Sequence, residues 1–246
     1  MRHIVYIGVD DTDVIGSIGT GKVARGLASH LVELGLGTSR GVSRHQLLVD
    51  PRVRYTSHNS SKGLAIETER SVIEFYQPAA DWLSHNFASG ADPGLCICDE
   101  ERVSAQIIIF GRKAVTEVLT KQAACDLAAK YGIFLKGIGG DEGGVIGALA
   151  SVGLRAWGNE GRLVDLPGIH EITGLITVGD LLSRTPIKAV QKTDGTKLGK
   201  DEIIDSKDWI RPSLVDGEPV LKVEHVMSSP GKLVWVSIEK RMKGDD

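Results

Sequence analysis

Residues 3–9, His-Ile-Val-Tyr-Ile-Gly-Val, form a short alternating run of β-branched and aromatic side chains that stops on three acids, Asp10, Asp11 and Asp13. Such a run reads as a strand built into a sheet. A glycine-rich turn then leads to Thr20, and Val23, Leu27, Leu31 and Leu34 recur at helical spacing until Gly35 and Gly37 stop them. Strand, glycine turn, helix: the chain must place an acidic tip where a sheet hands over to a helix.

The same alternation continues. Residues 46–49 and 63–68 read as strands, and 70–87 as an amphipathic helix broken or kinked near Pro78. A strand is predicted at 105–110, a helix at 113–131 with the stripe Val115, Leu119, Ala123, Leu127, and a strand at 133–136. The glycine turn 137–144 opens a small-residue helix at 145–152, and the last strand is predicted at 233–238. Strands alternating with helices predict an α/β chain with a parallel or mixed sheet. The turn-forming segment Ala88 to Gly94 is the predicted boundary, dividing the chain into 1–90 and 91–246. Residues 185–210, carrying Lys188, Lys192, Lys197 and Lys200, read as a mobile loop, and their spacing also suits the lining of an anionic ligand.

Composition narrows the function classes. Hydrophobic residues at 41% and charged residues at 25% are ordinary for a globular chain, which excludes wholesale disorder. A net charge of −3 argues against a protein that coats duplex nucleic acid. No stretch is long and apolar enough to span a bilayer, and the opening apolar run is too short for a signal peptide, so a cytoplasmic location without membrane partners is expected. Cys96, Cys98 and Cys125 lack CxxC spacing and predict neither a disulfide framework nor a zinc ribbon. The seven histidines show no metal-ligand spacing, and no GxSxG elbow is present.

The acids carry the strongest chemical signal. Carboxylates about 4 Å apart repel by a few kcal/mol at an effective dielectric of about 20, which a cation between them relieves. Mg2+ takes one or two carboxylates together with water and substrate phosphates, and open α/β sheets bind ligands at the carboxyl ends of strands. Asp10, Asp11 and Asp13 are therefore candidate metal ligands. If the segment stays extended, Asp11 and Asp13 share a face and Asp10 points away, as a base or a supporting group. A turn-and-cap role for the same acids competes with this reading.

Two glycine loops add phosphate-binding potential. Gly16 to Val23 matches GxxxxGK but has Val23 where a Walker A loop has Ser or Thr, and its lead-in is acidic, so a true P-loop is disfavoured. Gly19, Thr20 and Gly21 still present backbone N–H groups at a helix start, with Thr12 and Lys22 beside them as further nucleotide-binding candidates. Thr20 has two readings, helix N-cap or phosphate contact. In the second loop, Gly143 and Gly144 suit close approach to an anion or to another backbone, while Gly139, Gly140 and Asp141 frame an acceptor or a cationic amine. The polar run Tyr55 to Ser61 includes His58 and Asn59 as candidate substrate contacts, with an exposed loop as the alternative.

Ile7-Gly8-Val9-Asp10-Asp11-Thr12-Asp13, followed by Gly19-Thr20-Gly21 and a helix, resembles the opening of the archaeal tRNA(Ile) agmatinylcytidine synthetase (agmatidine synthase) family. Leu48-Val49-Asp50-Pro51 through Asn59, Asp92-Pro93-Gly94-Leu95, Gly143-Gly144-Val145-Ile146-Gly147-Ala148-Leu149-Ala150 and Val215 to Val223 are similar in the same order. The segments Asp10-Asp11-Thr12-Asp13 and Gly144 to Ala150 are the specific ones when taken together. The resemblance implies an α/β (α+β) chain with a kinase-like ATP-binding domain, whose N-terminal part is 1–90, and a ferredoxin-like region within 91–246. It implies ATP and Mg2+ as cofactors, Asp10, Asp11 and Asp13 at the metal, and Thr20 as the threonine that accepts a phosphate. In that family ATP activates a cytidine oxygen of tRNA, which the amine agmatine displaces.

The chain departs from the family pattern. The cysteine-threonine-threonine tripeptide reads Gly19-Thr20-Gly21, and the lysine-threonine-arginine-glycine-asparagine segment reads Thr56-Ser57-His58-Asn59, losing two cations. The OB-fold and zinc ribbon that grip tRNA have no counterpart in a chain without CxxC pairs, which reads as a short form. The expected function is thus ATP- and Mg2+-dependent phosphoryl transfer of ligase type, with Asp10 and Thr20 catalytic and a small molecule or nucleoside, with or without an amine, as acceptor. A nucleotide- or metabolite-binding module without turnover, and a tRNA cytidine-modifying enzyme with a separate RNA-binding partner, are the alternatives. A homo-oligomer is compatible with all three.

Overall fold

The computed structural model describes residues 1–56, 58–207, 209–228 and 232–238, and the chain divides into two compact units, Met1–Trp157 and Gly158–Asp246. Both mix strands and helices, in an α+β fold.

The first unit runs β1 (His3–Asp10), α1 (Thr20–Glu33), β2 (Thr38–Gln46), β3 (Ser60–Thr68), α2 (Tyr76–Ser84), β4 (Gly94–Asp99), α3 (Ala105–Ala114), α4 (Lys121–Tyr131), β5 (Phe134–Gly137) and α5 (Val145–Trp157). Its strands lie in the order β5-β4-β1-β3-β2, and every pairing is antiparallel. The parallel or mixed sheet expected from the alternation of elements is therefore corrected for this unit. Alternation alone does not fix strand direction: β2 returns beside β3 through the loop 47–59 with no helix between them.

Register assigns the faces. Ile7 pairs with Leu64, Val5 with Ile66 and Val9 with Lys62, so these side chains share one face. Lys62 lies close to Gly21 of α1, which places α1 on that side. There Leu27 and Leu31 are fully buried, each contributing roughly 1.5–3 kcal/mol of apolar burial. Tyr6 faces the other way, and Cys96, Cys98, Ala148, Leu149, Ile107 and Phe110 join it in a second core made with α3, α4 and α5.

Several predicted elements change. The strand expected at 105–110 is helix α3. Its apolar run also carries a helical stripe, Ile107, Phe110, Gly111 and Ala114, and that stripe is what the fold buries. The single helix expected at 113–131 is divided between the end of α3 and α4, with Thr120 accepting from Ala123 N at 3.2 Å as a new N-cap. The strand expected at 46–49 ends at Gln46, where the loop 47–59 begins. The break expected near Pro78 falls just before it, where a 3-10 turn at Val72–Phe75 gives way to α2, and Pro78 itself sits in the first turn of α2, where a missing N–H is tolerated. The boundary expected at 90/91 falls inside this unit: β4 pairs with β1 from Val5↔Asp99 to Asp10↔Gly94.

The second unit contains β6 (Arg162–Asp165), β7 (Leu175–Thr177), α6 (Val178–Arg184), β8 (Ala189–Lys192), β9 (Ile203–Asp205), β10 (Ser213–Val215), β11 (Glu218–Ser228) and β12 (Lys232–Ser237). The order β6-β10-β11-β12-β9-β7 is mixed, with β8 parallel to β11 and β9 parallel to β12. Asp216 and Gly217, both with positive φ, form the two-residue turn that joins β10 to β11. The loop expected at 185–210 contains β8 and β9, and Lys192 lies 5.2 Å from the Trp235 ring centre. Among the described residues no helix is long and apolar enough to cross a membrane.

Candidate functional site

The carboxyl end of β1 opens into a cleft of about 230 Å3 within the first unit. Several distant segments reach it, among them three that carry the candidate residues. From the strand tip come Asp10, Asp11 and Asp13, with Thr20 at the start of α1; from the loop before β3 come Arg54, Thr56, His58 and Asn59, with Ser60 at the start of β3; from the second glycine loop come Asp141, Gly143 and Gly144. Ser57 lies outside the described residues. The tight meeting of these segments depends on Gly94 and Gly144, whose backbones touch: a side chain on either would strike the other's main chain. Gly144 N donates to the Asp92 carbonyl at 2.9 Å and Ile138 N to the Pro93 carbonyl at 2.8 Å. Of the two readings of the second loop, approach to another backbone is what Gly144 does.

The acids do not alternate as an extended segment would. Asp11 has φ +52°, in the left-handed region, and this turns the chain at the strand end. Asp10 directs its carboxylate at Gly147 of α5, where a methyl group would collide with Oδ2. Asp13 is held by two threonines: Thr20 Oγ1 donates to Oδ1 at 2.6 Å and Thr56 Oγ1 to Oδ2 at 3.3 Å. Thr12, fully buried, donates in turn to Thr20 Oγ1 at 3.1 Å. Thr20 is not an N-cap. Gly19 holds that position, which leaves the Thr20 hydroxyl for the carboxylate.

The remaining candidates divide. Lys22 is exposed on α1, and Gly19, Gly21, Gly139 and Gly140 do not line the cleft. Among the described residues, no three His, Cys, Asp or Glu side chains converge into a ready-made metal cage. The charges of Asp11 and Asp13 nevertheless reach Asp10, and that of Asp13 reaches Asp11.

Sequence reasoning missed three charged residues. Asp92, 6% exposed, accepts from Asp141 N at 2.7 Å and from the Arg54 guanidinium, which also lies 3.7 Å from Asp141. Lys62, 5% exposed, donates to Ser60 O at 2.8 Å and to Ser60 Oγ at 3.1 Å. A lysine just before the apolar run Leu64–Ile66 was the available signal for Lys62. Nothing local marked Arg54. Together they return two cations to the neighbourhood of the segment that lacks them.

The electrostatics follow from this crowding. Burial, and then the charge of Asp92, push Asp11 up to about 6, against the pull of Arg54. Burial also raises Asp10, opposed by Lys62, and burial lowers Lys62, opposed by Asp10. A carboxyl whose folded-state pKa exceeds its ordinary 3.8 binds its proton more tightly when folded. Its contribution to stability is therefore present at low pH and is lost as pH rises through about 6. Asp11→Asn, which tolerates positive φ, is expected to raise the melting temperature of the ligand-free protein above pH 7 by about 2–4 °C and to flatten its fall between pH 4 and 7. Parallel melting curves for the variant and wild type would refute this. The thiols play no part here: Cys96 and Cys98 are buried, and burial pushes Cys98 up to about 12.

The chain matches the crystal structure of a TiaS–tRNA–ATP complex with TM-score 0.54 and 27% identity, over 67% of this chain and 37% of that one. The likeness is to agmatidine synthetase. A TiaS–tRNA–AMPCPP–agmatine complex matches with TM-score 0.53 and 27% identity, over 61% and 36% of the two chains. Apo TiaS, a tRNA agmatidine synthetase, matches with TM-score 0.53 and 26% identity, over 68% and 37%. This chain thus spans little more than a third of the length of the TiaS chains it matches. No family model and no curated protein matches it.

Proposed function

We propose that this chain is an ATP- and Mg2+-dependent phosphoryl-transfer enzyme of ligase type, related to TiaS, acting on an oxygen of a small molecule or nucleoside. The observation that carries the reading is the Thr20 hydroxyl, 2.6 Å from the Asp13 carboxylate inside the cleft. A hydroxyl already bonded to a carboxylate has a base in reach for its proton. Thr20 attacking the γ-phosphorus of ATP would form a new P–O bond, release ADP and pass its proton to Asp13. This assigns the base role to Asp13 rather than Asp10, which faces Gly147. The likeness to TiaS, crystallised with ATP and with AMPCPP and agmatine, supports the nucleotide and suggests an amine as the second substrate.

The cleft is smaller than the roughly 300–1,000 Å3 that enclose a whole ligand. It suits a phosphate chain, with the base of the nucleotide at the rim. The hard-oxygen donors at the strand tip fit Mg2+, which needs only one or two carboxylates when phosphates complete its shell. Asp11 is the foremost ligand, with Asp10 beside it, while both Asp13 oxygens are engaged by Thr20 and Thr56; bound there, Mg2+ would neutralise charge developing on the transferred group. Gly143 and His58 border the same space, and Asn59, whose Nδ2 donates to the Leu48 carbonyl at 2.6 Å, shapes its floor. A tRNA acceptor is the second reading, and the tRNA present in the TiaS complexes supports it. With a net charge of −3, this chain would then need a separate RNA-binding partner.

The test is ATP turnover by the purified protein with candidate nucleosides and amines, with Mg2+ and with excess chelator. ADP or AMP release that stops on chelation is the expected result. Tight ATP binding with no product over hours would replace the enzyme by a binding module.

A further inference from the structure

Ser60, the first residue of β3, lines the cleft between two cations. Its hydroxyl oxygen accepts from Arg44 Nε at 3.0 Å and from Lys62 Nζ at 3.1 Å. Guanidinium and ammonium groups donate and never accept, while a hydroxyl offers two lone pairs and one proton. Both lone pairs are therefore taken, and only the proton is left to use. Among the described residues nothing accepts it. Lys62 is prevented from swinging away by its second bond, to the Ser60 carbonyl at 2.8 Å.

The cations themselves are oddly placed. Arg44 and Lys62 are register partners on β2 and β3, and like charges directly opposite in a sheet destabilise it. The Ser60 oxygen between them offsets part of that repulsion, and an anion in the cleft would offset more. A hydroxyl polarised by two cations, with its proton unspent, is a strong donor to a charged oxygen.

We propose that Ser60 is a specificity-determining residue whose hydroxyl, held as an obligate donor by Arg44 and Lys62, binds a non-bridging oxygen of the ligand's phosphate chain and fixes which end of that ligand meets β3. The identity of the ligand rests on the nucleotide reading above; the donor role does not. Replacement of Ser60 should therefore act on phosphate affinity and leave contacts to the nucleoside alone. The chemistry recognised is a phosphate chain with free oxygens, attached to a nucleoside or not.

The experiment is calorimetric titration of the full chain with AMPCPP, inorganic tripolyphosphate and adenosine, each with Mg2+. Ser60→Ala is expected to weaken AMPCPP and tripolyphosphate by about tenfold to a hundredfold, the scale of a hydrogen bond to a charged group. Adenosine affinity should not change, and Ser60→Thr should stay within about threefold of wild type because it keeps the hydroxyl. If Ser60→Ala fails to fold, Ser60→Cys, a weak donor of similar size, is expected to show the same selective loss. Equal AMPCPP affinity for wild type and a folded Ser60→Ala overturns the Ser60 assignment and leaves the nucleotide reading intact. Wild type that binds tripolyphosphate but not AMPCPP, with Ser60→Ala losing the former, does the reverse. Wild type that binds neither removes both.

Discussion

Asp13→Asn is expected to reduce ATP turnover by about a hundredfold to ten-thousandfold, the usual contribution of a positioned proton acceptor. The carboxylate accepts from Thr20 at 2.6 Å and from Thr56 at 3.3 Å. An amide keeps one acceptor oxygen and replaces the other with a donor, so one threonine loses its partner and no base remains for the Thr20 proton. AMPCPP affinity should change much less than turnover, because the loss lies in the chemical step. The measurement is steady-state ADP release alongside titration of AMPCPP. A variant with wild-type turnover would remove Asp13 from proton transfer and return the role to Asp10. A variant that loses affinity and rate equally would instead mark Asp13 as a ligand-binding group.

The second large effect is on stability. In Gly94→Ala the new methyl would meet the main chain at Gly144 and Val145, atoms that move only if the glycine loop moves with them. Overpacking a tight site costs about 1–3 kcal/mol, and a clash of side chain on backbone belongs at the upper end. For a chain of this size about 3 kcal/mol lowers the melting temperature by roughly 6–12 °C. Gly21→Ala is the control: its methyl would lie 3.6 Å from Lys62 Cε, an ordinary contact, on a helix that favours alanine. It should melt at or above the wild-type temperature. Equal melting of Gly94→Ala and wild type would mean that the glycine loop is not fixed against β4, and the cleft could not be held as described.

Much of the cleft could be read along the chain. Asp10 to Asp13 follow directly on an apolar strand, Thr20 opens a helix, and Gly143-Gly144 opens another. Each is a local pattern with a local physical cause, and all lie on or beside the same cleft. Local reasoning failed where two structures share one pattern. The segment 105–110 is as good a strand as a helix by composition, and the choice fell to whichever stripe the core could bury. It failed again in assigning geometry to the acids, because the extended segment assumed for them is broken by the positive φ of Asp11. Thr20 was given two roles by its position; the N-cap falls to Gly19 instead, and the Thr20 hydroxyl bonds Asp13.

The sequence by itself determined the acid-tipped first strand, the two glycine turns that open helices and the mixed helix-and-strand class, since these depend on propensity, periodicity and the special backbone freedom of glycine. Only the tertiary structure decided that the first unit's sheet is antiparallel, that Arg54 reaches Asp92, and that Arg44 and Lys62 meet at Ser60. Those facts join residues far apart in the chain or depend on strand register. No local free energy specifies such a contact; it is set by which faces bury together and which charges then have to find partners.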